Sequence, residues 1–392
     1  MKIEIKKIGN ILIPGMFRKD YSTDTKYTII DSRSIDSSDK ILKEIKKGNF
    51  IIVDENTPEK KIKKLYEYLK KMGSELLDKD TMDEVSRRDG GSGRKKALEY
   101  FQQKKLSQLL LICEKDNILS FKEKVSVKHL YGFCGTDYYE DGFFEYDELT
   151  EKYLVSYKFY HELSELLKNP TRIELLNLDL YTGINVLPPK STDTSEIFYD
   201  AMKKSNNNIS KILDMGTGSG HLAVMANKLF ENAEIFVTDI IPEALTTARL
   251  NFENITGIPT LYDKEKRMLI NDNFRIYRSG SMYEKVIDDN FDLILFNAPW
   301  ILAKARNRSE LALNDENQEV VKEFLKESRS HLSENGKIIL GYSNNSGDEA
   351  VESLEVLIDE FKYKIVEKLS VRIQSYQSGR KWMRIFCYIL EI

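Results

Sequence analysis

The 392-residue chain is expected to be α/β: a mostly parallel sheet with helices on both faces in the carboxy-terminal half, preceded by a smaller α/β or α+β module. Three observations carry that expectation. From Ile209 onward, short apolar runs alternate with helix-patterned segments. The run Lys211 to Asp214 passes into a glycine-rich turn that opens straight into a helix pattern. The last two apolar runs are joined only by a short polar loop, Arg372 to Lys381. Strands separated by helices are crossover-connected and therefore parallel, whereas strands joined by a short loop pair as an antiparallel hairpin.

In chain order, the runs ILI (11–13), YTII (27–30) and FIIV (50–53) read as strands between lysine-rich helical patterns. Over residues 60–72, Ile62, Leu65, Tyr66 and Leu69 fall on one face, as in an amphipathic helix. Residues 94–112 read as a second helix. Between the two, Gly90, Gly91, Ser92 and Gly93 read as a turn flanked by Arg87, Arg88, Arg94, Lys95 and Lys96, either a surface loop or a phosphate cradle. The acidic, aromatic stretch Asp137 to Tyr153 leads into a long helix ending near Asn169 and Pro170. A domain boundary is expected there, with residues 1–175 on one side and 176–392 on the other. Strands are then expected at 211–214, 234–239, 274–278, 291–296, 336–341, 363–371 and 383–391, with helices between the first five.

Composition narrows the class. With 41% hydrophobic and 31% charged residues, the chain can fill a packed core and is not of the disordered type. Cys113, Cys134 and Cys387 are too few and too scattered for a disulfide framework or zinc site, and none of the four histidines forms a metal-ligand pair. A reducing cytoplasm and no metal are the expectations. The amino-terminal lysines and apolar stretch look superficially like a signal peptide, but Asn10 and Pro14 interrupt it and no small-residue cleavage site follows. No run approaches the ~20 apolar residues of a membrane span. Lysine and arginine exceed acids by 25 to 18 in residues 1–110, and trail them by 9 to 17 in residues 111–200. A basic head suits nucleic acid, an acidic partner or simply a solvated helix face, while the acidic stretch disfavours a long phosphate track.

The chemistry is concentrated in two motifs. In KILDMGTGSGHLAV, residues 211–224, Gly216, Gly218 and Gly220 let the backbone pass close to a ligand. A dinucleotide fingerprint would need a glycine where His221 stands, and Asp214 before the first glycine suits an amino-bearing ligand better than a pyrophosphate. The spacing D-x-G-x-G-x-G resembles the first motif of class I S-adenosylmethionine (SAM) methyltransferases. That resemblance implies a Rossmann-like seven-stranded sheet with a carboxy-terminal antiparallel hairpin. It also implies SAM as cofactor.

Asp239 closes the next strand, in IFVTDI, where a carboxylate can accept both ribose hydroxyls of a nucleoside cofactor. The segment DIIPEALTTARLN around it resembles the HemK-like glutamine methyltransferases. In that family an acid after the next strand commonly meets the adenine amino group. Here Ser281 stands in its place, leaving Ser281, the Met282 backbone or apolar walls to hold the base. Upstream, NVLPPKSTDTSEIFYDAM resembles the segment that covers the cofactor in HemK-like enzymes, with Thr194 and Glu196 as an approximate Thr-Glu pair. Asp193 and Glu196 equally make an ordinary capping box.

The second motif, FDLILFNAPW at 291–300, ends a buried strand on Asn297. It resembles the N-P-P-[YFW] signature of methyltransferases that modify amide or exocyclic amino nitrogens. Such nitrogens are poor nucleophiles because their lone pair is delocalised. The Asn297 side-chain oxygen and the carbonyl of residue 298 can each accept one N–H and orient the lone pair, and Trp300 can stack on the flat group. Ala298 departs from the usual proline, but Pro299 still biases it towards an extended conformation.

The resemblance thus assigns Asn297, Ala298, Pro299 and Trp300 to catalysis, and Asp214, Gly216, Thr217, Gly218, Gly220, Asp239, Ile240, Ser281, Met282 and Asn297 to the cofactor. Residues 1–175 would select the acceptor. The acceptor expected first is a protein or peptide side-chain amide. An RNA or DNA base amino group, or a protein that senses SAM without transferring its methyl, are the alternatives. After the second motif, Arg306 and Arg308 stand in a polar loop that can meet an anion. Arg380, Lys381 and Arg384 surround Trp382 in the final hairpin, a cluster that either grips nucleic acid or merely finishes the sheet. Oligomeric state is not legible.

Overall fold

The computed structural model describes the chain except residues 1–5, 9–10, 14–25, 88–90, 115–117, 127–151, 184, 190–191, 206–207, 264, 267, 288–289, 306–307 and 376–380. It divides into two compact units, the first reaching Glu165 and the second running from Leu166 to Ile392.

In the first unit, β1 (Lys6–Ile8), β2 (Ile11–Ile13), β3 (Tyr27–Ile30), β4 (Phe50–Val53), β5 (Leu109–Cys113), β6 (Ile118–Ser120), β7 (Val125–Ser126) and β8 (Lys152–Ser156) form one mixed sheet. At one end of it β5, β4 and the terminal β3 run parallel. Helices Ser38–Lys46 and Glu59–Met72 lie in the connections, and Ile62, Leu65, Tyr66 and Leu69 are buried, as their helical spacing requires. Two elements differ from the sequence reading. Helix Gly91–Leu106 takes in the Gly91-Ser92-Gly93 stretch expected to be a turn, and Leu109–Cys113, expected within a helix, is a strand. All five residues of that strand are buried, which fits a strand covered on both faces and leaves no polar side for a helix. Strand β8 was not expected either; it pairs antiparallel with β5. Gly90, Arg88, Cys134 and the acidic residues 137–151 lie outside the described residues.

The second unit opens with helical residues that end at Lys168 and a small hairpin of β9 (Thr171–Ile173) and β10 (Leu178–Leu180). Its main sheet comprises β11 (Lys211–Met215), β12 (Glu234–Thr238), β13 (Leu261–Asp263), β14 (Met268–Asn271), β15 (Phe274–Ile276), β16 (Phe291–Asn297), β17 (Leu332–Ser343), β18 (Lys364–Gln374) and β19 (Trp382–Glu391). Their order is β13-β14-β15-β12-β11-β16-β17-β19-β18. The pairings β15-β12-β11-β16-β17 are all parallel, and β19 is inserted antiparallel between β17 and β18. All seven expected strands are present. Two more, β13 and β14, extend the β15 edge antiparallel. They escaped the sequence reading because three or four residues on either side of a charged turn show too little periodicity. The helix expected between β15 and β16 is absent among the described residues. Turns fill that connection, and buried Tyr283 and Val286 cover the sheet instead.

Residues alternate between the two covered faces, as strand geometry demands. Ile212, Leu293 and Leu295 join a core with helices Thr192–Lys204, His221–Leu229 and Pro242–Thr256. Leu213, Ile294 and Phe296 join the opposite core, with helices Glu319–Ser328 and Asp348–Glu360. The chain leaves β11 for β12 and β15 on one side, then crosses back to β16 on the other. A crevice therefore opens at the carboxyl ends of β11 and β16, the position at which α/β sheets bind ligands.

The glycine turn bordering this crevice is shaped by packing as well as backbone conformation. Gly220 has φ +81°, and an added Cβ would lie 2.8 Å from Phe252 Cε1 and 3.2 Å from Ala248 Cβ. At Gly218, φ +56°, an added Cβ meets nothing within 4 Å. Gly218→Ala should therefore cost only the left-handed backbone term, about 1–2 kcal/mol, whereas Gly220→Ala adds the overlap with Phe252. Urea unfolding should show a clearly lower midpoint for Gly220→Ala than for Gly218→Ala; equal midpoints would contradict this account of the turn.

Candidate functional site

Three turns meet at the carboxyl ends of β11, β12 and β15. Gly216, Gly218 and Gly220 all have positive φ, which folds the first turn tightly before helix His221–Leu229 begins. Asp214, fully buried near the end of β11, braces that turn: Oδ2 accepts from Thr217 Oγ1 at 2.7 Å and from the Ala223 N–H at 3.1 Å. Its Oδ1 is buried without a hydrogen-bond partner among the described residues. The Thr217 N–H donates to the Thr238 carbonyl at 3.1 Å, tying the glycine turn to the end of β12.

Asp239 follows β12. One of its oxygens accepts from the Gly218 N–H at 3.0 Å and the other from the Ile241 N–H at 2.8 Å. Ile240 beside it is 50% exposed, an apolar side chain left open at the strand end. The third turn joins through the Gly280 N–H, which donates to the Asp239 carbonyl at 3.2 Å. Met282 takes a left-handed conformation, φ +42°. No acid stands at 281, but Glu284 folds back so that its carboxylate accepts from the Ser281 N–H at 3.3 Å. The acid of this turn is thus three residues further on, paired also with Lys285.

Asn297, the last residue of β16, stands next to this assembly by register. Phe296 pairs with Met215 on one side and Asn297 with Gly341 of β17 on the other. Asn297 Oδ1 is buried and accepts no hydrogen bond among the described residues. The absence of a side chain at Gly341 makes room for it, since a Cβ there would lie 2.9 Å from Oδ1 and 2.5 Å from Phe198 Cζ. Ala298 is buried and its N–H donates to the Gly341 carbonyl at 3.2 Å, so the backbone where proline was expected is held by β17 instead. Trp300 packs partly buried against both cores, and its carbonyl accepts from Ser346 Oγ at 3.0 Å.

Unsatisfied buried polar atoms cost roughly 1–3 kcal/mol each, so their location is informative. Asp214 Oδ1, Thr238 Oγ1, Ser219 Oγ and Asn297 Oδ1 are such atoms, and all belong to the carboxyl ends of adjacent strands or the turn between them. The same burial pushes the Asp214 carboxyl up to about 7, against its bonds from Thr217 and Ala223, with the charge of Asp239 adding to the rise. Burial also pushes Asp239 up to about 6, opposed by the N–H groups of Ile241 and Gly218. His221 is driven down to about 4 by burial and is neutral at physiological pH. Among the described residues no three His, Cys, Asp or Glu side chains converge as a metal-ligand group.

Residues 178–367 match the family model of the methyltransferase small domain. The release factor glutamine methyltransferase of Lactococcus lactis is 29% identical over 50% of this chain and 67% of its own length. The second unit thus carries a segment that matches the methyltransferase small domain. The ribosomal protein uL3 glutamine methyltransferase of Francisella tularensis is 25% identical over 35% of this chain and 42% of its own. The ribosomal protein L11 methyltransferase of Lactobacillus johnsonii is 32% identical over 37% and 35%. The alignments thus span from about a third to two thirds of these relatives' own lengths.

Within this methyltransferase unit, some site-building residues carry no motif. Asn251 is fully buried and binds the Ser219 carbonyl at 2.8 Å, the Tyr181 carbonyl at 3.0 Å and the Tyr181 N–H at 2.8 Å. It fastens the glycine turn to the segment after β10. A polar residue on the buried face of an otherwise amphipathic helix was its only sequence signal. Thr194 is buried but Glu196 is exposed, so the two do not act as a pair facing the core, and the helix already includes Asp193 rather than being capped by it. Trp382 is 42% exposed, with the Arg372 guanidinium 4.8 Å and Lys381 Nζ 5.9 Å from its ring centroid. Arg306, Arg380 and the Arg308 side chain lie outside the described residues.

The raised carboxyls bear on stability. Their folded pKa values exceed those of the unfolded chain, so their contribution is most favourable below about pH 4 and is lost as pH rises through about 6 and 7. Asp214→Asn keeps an acceptor for Thr217 and Ala223 and cannot ionise. Unliganded Asp214→Asn protein should therefore melt above wild type at about pH 8, with the gap closing towards about pH 5. A lower melting temperature than wild type at the higher pH would contradict the burial argument.

Proposed function

We propose that this chain is a SAM-dependent N-methyltransferase acting on a protein or peptide side-chain amide. The observation that carries the reading is the buried, unpartnered Asn297 Oδ1 at the carboxyl end of β16, beside the glycine turn. A fixed acceptor without a partner is suited to an N–H brought in by the acceptor substrate.

The cofactor residues fit SAM. Asp214 Oδ1 offers an anionic acceptor to the amino group of its methionine portion, and the open turn Gly216, Thr217, Gly218, Gly220 leaves room for the chain. Asp239 faces the ribose hydroxyls, while Ile240, Ser281 and Met282 border the base. When bound, SAM supplies an electrophilic sulfonium methyl. The chain's own part is orientation: Asn297 Oδ1 and the Ala298 carbonyl each accept one N–H of a planar amide, turning its lone pair towards the methyl group. Trp300 stacks on the amide plane. Pro299 and the Ala298 bond to Gly341 keep these acceptors fixed, so little reorganisation is needed during transfer. The nitrogen loses its proton after methylation, and no strong base is needed before it.

A protein acceptor is favoured over nucleic acid because the relatives named above are named for release factors or ribosomal proteins, and because the chain carries net charge -4. Residues 1–175 are assigned to acceptor selection and 176–392 to transfer. Incubation with methyl-labelled SAM and cell extract should give label that is released by protease and resists nuclease. Asn297→Ala should lower kcat by about 10²–10³. Label lost only to nuclease, or undiminished labelling by Asn297→Ala, would overturn the reading.

A further inference from the structure

We infer that Asn185 is a positioning residue that couples cofactor binding to the loop following Asn297. The inference rests on the functional reading above. Asn185 lies in the segment between β10 and helix Thr192–Lys204 and has a left-handed backbone, φ +62°. Its amide makes two contacts of opposite sense. Nδ2 donates to Glu243 Oε1 at 3.2 Å, and Oδ1 accepts from Ser309 Oγ at 2.7 Å. A carboxylate can only accept, so the first bond fixes which end of the amide points at Glu243 and turns the other towards Ser309.

Each partner belongs to a different side of the candidate site. Glu243 is buried in the first turn of helix Pro242–Thr256, four residues after Asp239, and its charge helps to raise the Asp239 carboxyl. Val186 beside Asn185 packs with Ile241 and Ala244, so this segment is seated on the turn that carries Asp239. Ser309 lies in helix Arg308–Leu311, within the loop that follows Trp300.

The base of that loop is closed by backbone bonds, from the Ile301 N–H to the Leu313 carbonyl and from the Asp315 N–H to the Ile301 carbonyl, and by Ser346 Oγ, which accepts from the Leu302 N–H. The buried Asp315 carboxylate accepts from the N–H groups of Val320 and Val321, anchoring the exit. Asn185 gives the loop a hydrogen-bonded link to the cofactor side. Reorganisation of the Asp239 turn around a ribose is felt at Glu243, and Asn185 passes it to Ser309. The loop, which carries exposed Leu302 and Leu311, is then held in one arrangement.

Amide hydrogen exchange of the full chain, with and without saturating SAM, tests the coupling. In wild type, SAM should slow exchange at least five-fold both at 216–223 and at 309–315, where the Leu313 and Asn314 N–H groups bond to the Glu310 carbonyl. Asn185→Ala should keep the protection at 216–223 and abolish it at 309–315. Ser309→Ala, at an exposed position that folding does not depend on, should do the same, and the double variant should lose no more than either single one. Protection of 309–315 that persists in both variants, or that is missing in wild type while 216–223 is protected, overturns the coupling alone. Absence of protection at 216–223 in wild type overturns the functional reading and the coupling with it.

Discussion

The second unit depends on one topological constraint, the reversal of direction beside β11. Because β12 and β15 are laid down on one side of that strand and β16 on the other, the connections leaving the carboxyl ends of β11 and β16 diverge, leaving a gap between them. The glycine turn, the Asp239 turn and the third turn all border this gap. So does Asn297, through its register with Gly341 and that of Phe296 with Met215. Even the small Gly341 has its reason there, since any side chain would collide with Phe198 and crowd the Asn297 oxygen.

Both faces of β11 and β16 are buried, yet at this gap Asp214 Oδ1, Thr238 Oγ1, Ser219 Oγ and Asn297 Oδ1 are left without partners among the described residues. Such atoms oppose folding, and the buried carboxyls of Asp214 and Asp239 oppose it further by being pushed towards their neutral forms. A fold tolerates that cost where the groups are complemented by something outside the chain. Donors from an amino-bearing cofactor and from an amide substrate have the chemistry these acceptors lack. The same account explains why the hydrogen bonds that do form here, from Thr217, Ala223, Gly218 and Ile241, use only part of each carboxylate's capacity or hold its turn in place.

Much of this was legible in the sequence because its signals are local. A strand that runs into alternating glycines, an acid closing the next strand and Asn-Ala-Pro-Trp at the end of an apolar run each occupy a few consecutive residues, and their placement at strand ends follows from pattern alone. What was missed depends on distant contacts. Leu109–Cys113 looks like helix until its pairing with β4 on one side and β8 on the other is known. The short strands β13 and β14 are strands only because β15 offers an edge. Asn251 and Asn185 are single polar residues whose roles arise from partners 32 to 124 positions away. Ser281 carries no acid, and the return of Glu284 onto the same turn, beside the left-handed bend at Met282, is not visible in the local pattern.

The central claim is that the orphaned acceptors at the β11–β16 gap await donors from ligands, and the most direct test is the proton count on cofactor binding. Titration calorimetry of SAM at about pH 6, repeated in buffers of differing ionisation enthalpy, reads that count. At this pH the Asp214 carboxyl is largely protonated in the free protein, so pairing it with a cationic amine should release on the order of one proton per SAM bound, and Asp214→Asn should abolish most of that release. Binding with no proton released, or with the same release in Asp214→Asn, would contradict the account.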